Sequence, residues 1–256
     1  MPQHYIMSFV YNNIKINEEN LKVGVYCPAF HCDSLYLEYH KKVFNHFNIK
    51  VNYVHEVKLH GEILNEISRK EDVDYLCFVD VDSVPLTSKI LETLISRIYN
   101  KNAIIGIEQT SNNHRNEADK EMALFHANQR GEKISNHISP RGNHNNLTND
   151  DPCYAGPAFF VISKKIYEVL GEPSYLETYR SDCGEELSYV ARDKNAEVKY
   201  IKFSHCVEPK WFLKEGVEFG IGSTYEDLVY HNFQARAATH IDLFIEKCKN
   251  ILNKNE

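Results

Sequence analysis

The stretch Tyr75-Leu76-Cys77-Phe78-Val79-Asp80-Val81-Asp82 decides how the rest of this chain is read. Five apolar residues in succession, with no glycine or proline, mark a strand buried on both faces. Such a strand belongs inside a parallel sheet, and α/β proteins place their chemistry just past its carboxyl end. Two aspartates stand there, separated by one valine. On an extended segment, side chains two apart point the same way, so Asp80 and Asp82 are expected side by side, with Val81 turned into the core. A pair so placed can share a divalent cation whose other positions are filled by diphosphate oxygens and water.

Outward from this strand, apolar patterning alternates between strand and helix. Val23 to Cys27 reads as a buried strand ended by Pro28, and Asp33 caps a helix with Tyr36, Tyr39, His40, Val43, Phe44 and Phe47 at helical spacing. Val51, Tyr53 and Val57 suggest a second strand, and Ile63, Leu64 and Ile67 a second helix. After the aspartates, Thr87 or Ser88 is expected to cap a helix carrying Ile90, Leu91, Leu94, Ile95 and Ile98, followed by a strand at Ala103 to Ile107. This βαβαβαβ order predicts an α/β fold: one domain, 1–256, with a mostly parallel sheet flanked by helices and its ligand at the carboxyl ends of the strands.

The rhythm breaks over 109–151, where asparagine, histidine and charge dominate; a long loop is expected there. It separates a first half, about 20–108, from a second, about 152–256. In the latter, Ala158 to Ile162 reads as a strand and Ser163 as the cap of a helix stopped by Gly171 and Pro173. Glu185 to Arg192 reads as a helix and Glu197 to Phe203 as a strand. Gly216, Gly220 and Gly222 punctuate an expected flexible flap, and a final amphipathic helix carries Ile241, Phe244, Cys248 and Ile251.

Composition narrows the function classes. The 256 residues carry 36 acidic and 29 basic side chains, a net charge of -7. That argues against a broad cationic surface for nucleic acid, though not against a local phosphate site. No apolar run is long enough to span a bilayer, the start Met1-Pro2-Gln3-His4-Tyr5 has no signal-peptide pattern, and the seven cysteines are scattered. A cytoplasmic chain with reduced thiols, not inserted in a membrane, is therefore expected. Cys27, His31 and Cys32 lack the second paired cluster of a zinc site. The absence of GxxxxGK[ST] and of GxGxxG excludes P-loop nucleotidases and dinucleotide oxidoreductases.

These features resemble the nucleotide-sugar-dependent glycosyltransferases of the GT-A fold, of the DxD, family-2-like type. Tyr75 to Pro85 is similar to the family's metal strand, and Val25-Tyr26-Cys27-Pro28-Ala29-Phe30 to the first loop, which lies over the nucleoside. Cys153 to Ser163 resembles the segment under the sugar and acceptor. Asp182-Cys183-Gly184-Glu185-Glu186-Leu187 is similar to the acidic helix start, and Tyr230-His231-Asn232-Phe233 to the late metal-binding histidine. The resemblance implies transfer from a nucleoside-diphosphate sugar, UDP-linked by superfamily frequency, to a hydroxyl acceptor such as a glycan.

It also implies roles. Asp82 is the first metal ligand, Asp80 shares the metal or holds the ribose, and His231 is the third ligand. An imidazole beside carboxylates tilts the cofactor from Mg2+ toward Mn2+. A hydroxyl acceptor must lose its proton, and Asp182, Glu185 and Glu186 are the acids available, the two glutamates being favoured. First-turn acids also simply suit a helix dipole. Lys210 and Arg236 are expected diphosphate contacts, with Pro28, Ala29 and Phe30 around the nucleotide. Trp211 is expected to pack in the core rather than stack on a sugar, and His114, His126, His137 and His144 to be solvated loop residues. Two other readings remain: a sugar nucleotidyltransferase, for which Cys27 to Phe30 lacks a glycine-rich phosphate loop, and a binding module that kept the fold without turnover.

Overall fold

The computed structural model describes residues 9–29, 32–110, 153–176, 183–214, 217–233 and 240–254. In chain order, the elements of the first half are β1 (Asn12–Ile16), β2 (Glu19–Pro28), α1 (Ser34–His46), β3 (Asn52–Val54), α2 (His60–Lys70), β4 (Tyr75–Val79), β5 (Ser83–Pro85), α3 (Ile90–Ile98) and β6 (Ala103–Thr110). The second half adds β7 (Cys153–Ser163), α4 (Lys164–Val169), α5 (Glu185–Asp193), β8 (Glu197–Ile201), β9 (Phe203–His205), β10 (Glu208–Lys214), β11 (Val217–Ile221), β12 (Ser223–Tyr225), β13 (Val229–His231) and α6 (Ile241–Leu252).

The main sheet has seven strands in the order β1-β2-β4-β7-β6-β8, with β3 also paired to β2. β3 and β4 run parallel to β2, and β8 parallel to β6, while β7 opposes both β4 and β6. Thus β2, β3, β4, β6 and β8 share one direction, and only β1 and β7 oppose it. The fold is α/β with a mostly parallel sheet, as its strand-helix order predicts. β6, the next strand in sequence after β5, is not β4's neighbour: β7 is threaded between them.

Alternate residues of the central strands face opposite cores. Val23, Val25, Cys27, Cys77 and Val79 pack with α1, α3 and α6, while Tyr26, Leu76, Phe78 and Phe160 pack with α2, α4 and α5. Covering both faces leaves all five residues of β4 buried, each large side chain worth about 2 kcal/mol. Local signals placed several ends well. Asp33 Oδ1 accepts from the Leu35 amide at 2.8 Å, and Ser163 Oγ from the Ile166 amide at 3.1 Å. Others differ from expectation. α3 starts behind Lys89 with no side-chain cap, and Val57 is exposed, beyond the end of β3. In the segment expected as a glycine-punctuated flap, β10 and β11 pair antiparallel. A smaller sheet, β5-β13-β12-β9, lies beside the main one and carries β13 to the end of β4. Among the described residues no helix is long and apolar enough to cross a membrane.

Candidate metal centre

β4 delivers Asp80 to the carboxyl edge of the sheet, where its amide donates to the Ala158 carbonyl of β7 at 3.0 Å. The chain then turns. The Ser83 amide donates to the Asp80 carbonyl at 3.0 Å, closing a four-residue turn over Asp80-Val81-Asp82-Ser83. This corrects the extended geometry expected of the two aspartates: strand pleating does not align them. Val81 is buried in the core as expected.

The carboxylates converge nonetheless, and β13 joins them. The β12-β13 hairpin turns at Glu226 and Asp227, both left-handed at φ 47° and 52°, and β13 pairs antiparallel with β5 so that His231 lies opposite Ser83. One ligand atom each from Asp80, Asp82 and His231 lies within 4.8 Å of the others. Asp82 and His231 are buried, and His231 Nε2 stands 3.3 Å from Asp82 Oδ1. The His231 ring packs on Phe233 with centroids 3.9 Å apart, and its buried Nδ1 has no hydrogen-bond partner among the described residues. Two carboxylates and a buried imidazole this close form a donor set suited to a divalent cation.

Several buried groups brace the cluster. The fully buried Asn232 donates its amide N–H to the Asp82 carbonyl at 2.8 Å and its side-chain NH2 to Tyr36 Oη at 2.7 Å and the His240 carbonyl at 3.1 Å, while accepting from Tyr230 Oη at 3.2 Å. It ties the end of β13 to α1 and to the start of α6. His40 of α1, stacked on Phe44 and bonded through Nδ1 to Tyr53 Oη at 2.9 Å, is held neutral by burial, which pushes its pKa down to about 3. Burial, and then the charges of Asp80 and Asp82, keep the Cys27 thiol protonated well above its ordinary value. Cys27 is accordingly a core residue rather than a ligand.

Two other sequence-derived groups lie at the same edge. Pro28 ends β2 beside Val54 of β3, and the buried Ala29 donates its amide to the Val54 carbonyl at 2.8 Å. α5 begins at Gly184, in the left-handed region at φ 77°, where a Cβ would stand 3.5 Å from Pro157, next to the Ala158 that holds Asp80. Glu185 is fully buried and accepts from Tyr189 Oη. Glu186 is half-buried, and burial, followed by the Glu185 charge, raises its pKa. Phe30, Asp182, Arg236 and the four loop histidines lie outside the described residues, as do the side chains of Lys210 and Trp211 on β10.

One site residue escaped the sequence reading. His60 opens α2, and its buried Nε2 stands 3.3 Å from Asp80 Oδ1. The available signal was its place: a histidine at the start of the second helix, on the same carboxyl edge as the aspartates.

No family model matches this chain, and no curated protein matches it. Among solved structures it is similar to the mannosyltransferase PcManGT from Pyrobaculum calidifontis in complex with GDP-Man and Mn2+, at 8% identity and a TM-score of 0.45 over 75% of this chain. The chain spans 58% of that protein. It is also similar to glucosyl-3-phosphoglycerate synthase from Mycobacterium tuberculosis, solved with Mn2+, UDP-Glc and phosphoglyceric acid. That match has 13% identity and a TM-score of 0.35, covering 70% of this chain and 68% of that one. Both likenesses are distant.

Proposed function

We propose that this chain is a metal-dependent GT-A-type glycosyltransferase that moves a sugar from a nucleoside-diphosphate sugar, UDP-linked, to a hydroxyl acceptor such as a glycan. The observation that carries this reading is the convergence of Asp80, Asp82 and His231 at the carboxyl end of a buried strand. The donor set fits Mn2+ or Mg2+, and the imidazole favours Mn2+. When bound, such an ion stabilises charge on a departing diphosphate.

The chain's own groups supply the rest. Asp82 and His231, brought together by the β5-β13 pairing, would hold the ion, and Asp80 would share it or receive the ribose. Pro28, Ala29 and Phe30 border the nucleoside, and Lys210 and Arg236 meet the diphosphate. Glu186 takes the acceptor proton: a half-buried carboxylate with a raised pKa is a stronger base than an exposed one. Glu185, enclosed and bonded by Tyr189, shapes the start of α5, with Asp182 beside it in sequence as the alternative base. The whole works as one domain, with 20–108 on the nucleotide side and 152–256 on the acceptor side. The seven scattered cysteines suit the reducing cytoplasm.

The test incubates the protein with UDP- and GDP-linked hexoses, with and without Mn2+, and measures the released nucleotide. Mn2+-dependent release of nucleoside diphosphate is expected. Affinity without release indicates a binding module instead, and release of a sugar 1-phosphate indicates a nucleotidyltransferase.

A further inference from the structure

The turn at Asp80 to Ser83 removes the usual reason for two aspartates in this pattern to face one another. In a strand the pleat aligns them; in a turn each carboxylate needs its own partner. Asp82 has His231 at 3.3 Å, from β13. Asp80 has His60 at the same distance, from the start of α2.

His60 is fixed in place with little freedom. The following Gly61 packs against backbone: a Cβ there would stand 2.5 Å from the Tyr175 carbonyl oxygen and 2.6 Å from Leu176 Cα. Tyr175 in turn packs its ring on Phe78 of β4, with centroids 5.5 Å apart. The first turn of α2 is closed by Glu62, whose Oε2 accepts from the Leu59 amide at 3.1 Å. The strand that carries Asp80 and the helix that carries His60 are thus locked together through Tyr175. His60 Nε2 is buried beside Asp80, not aligned as a hydrogen bond, and it has no hydrogen-bond partner among the described residues.

We infer that His60 is a positioning residue for Asp80, holding that carboxylate turned toward Asp82 and His231 so that the three can act on one ion. The inference rests on the metal reading of the site. A group that orients a metal ligand typically controls affinity by tenfold to a hundredfold.

Mn2+ affinity, read from the electron paramagnetic resonance signal of free Mn2+, tests this alongside thermal melting of each variant. His60→Leu, which keeps the bulk and loses the donor, is expected to weaken Mn2+ binding about tenfold with a near-unchanged melt. His60→Gln, whose amide nitrogen reaches as far as Nε2, is expected to recover most of that loss. In an Asp80→Asn background, His60→Leu is expected to cost nothing further, because its effect runs through Asp80. Should His60→Leu fail to fold, His60→Asn, polar but too short to reach Asp80, carries the same expectation. Wild-type affinity in the Leu or Asn variant, equal losses in Leu and Gln, or an undiminished loss in the Asp80→Asn background each overturn the role of His60 while leaving the metal site standing. A wild-type protein that binds no Mn2+ overturns the metal reading, and this inference with it.

Discussion

His231 Nε2 stands 3.3 Å from Asp82 Oδ1 because antiparallel pairing sets His231 opposite Ser83, one residue past the aspartate. The separation of 149 positions in sequence (231 minus 82) is closed by a strand register. Asn232, the next residue, bonds the Asp82 carbonyl from the same strand end. The proposed metal site is therefore built at a seam between two sheets, and its groups can be altered separately.

Replacing Asp82 by alanine removes a carboxylate while keeping the backbone carbonyl that Asn232 grips. Mn2+ affinity is expected to fall by more than the hundredfold typical of outer partners, with nucleotide release lost and the melting temperature little changed. Titration of free Mn2+ and a thermal melt check both parts. Unaltered Mn2+ binding removes Asp82 from the site.

Asn232→Ala acts on stability first. It strands the hydroxyls of Tyr36 and Tyr230, both buried, and frees the His240 carbonyl. A loss of about 3 kcal/mol is expected, measurable by urea unfolding, accompanied by weaker Mn2+ binding as the end of β13 loosens. A variant as stable as wild type contradicts the bracing role of this side chain.

Gly61→Ala places a methyl 2.5 Å from the Tyr175 carbonyl oxygen, and backbone on that side cannot swing away as a flexible side chain would. Destabilisation of about 1–3 kcal/mol is expected. Because α2 must shift, the contact of His60 with Asp80 shifts too, so Mn2+ affinity is expected to fall with stability.

The two glutamates of α5 separate by burial. Glu186→Gln is expected to lower the turnover number by about a hundredfold or more with little change in donor affinity. With Glu186 as the proposed base, the wild-type rate should rise with pH through a value above that of an exposed glutamate, since a base works ionised and the pKa of Glu186 is raised. A raised carboxyl pKa means that ionisation opposes folding as pH climbs past the unfolded value, so Glu186→Gln should also be more stable near neutrality. Glu185→Gln is instead expected to destabilise, because it alters the fully buried partner of Tyr189. Matched steady-state kinetics and melts of the two variants distinguish these roles.

His40 makes stability depend on pH in a defined window. Its folded pKa of about 3 lies below the ordinary value of 6.5. The unfolded chain thus binds a proton that the folded one refuses, and stability present above pH 6.5 is lost progressively as pH falls toward 3. His40→Asn can keep a partner for Tyr53 Oη while removing the titration. Its unfolding free energy is expected to decline less steeply over that window. Parallel slopes in the two proteins contradict the assignment.

Much of this molecule was legible locally. The bounds of β4 and the caps at Asp33 and Ser163 follow from runs and spacings of a few residues, and both strand burial and capping act over that range. β1 was missed because Asn12-Asn13-Ile14-Lys15-Ile16 carries little apolar signal; it forms by pairing with β2. The strand pairing of β10 with β11 beside the glycine-punctuated stretch was not legible either, since glycine punctuation does not distinguish a loop from hairpin strands. The order of the central strands was also hidden. Val79 and Ala103 begin no local interaction that announces β7 between their strands, and that order reflects how two faces of helices cover one sheet.

From the amino-acid sequence alone came the α/β class, the buried strand that ends in Asp80, and the residue types able to hold a cation. These depend on hydrophobic period and side-chain chemistry, which are properties of neighbouring residues. Only the tertiary structure decided that the aspartates meet across a turn rather than along a pleat, that His231 joins Asp82 through the β5-β13 register, and that His60 stands against Asp80. Each of those distances is closed by packing between segments remote in sequence, where side-chain direction is set by the partner and not by the chain that carries it.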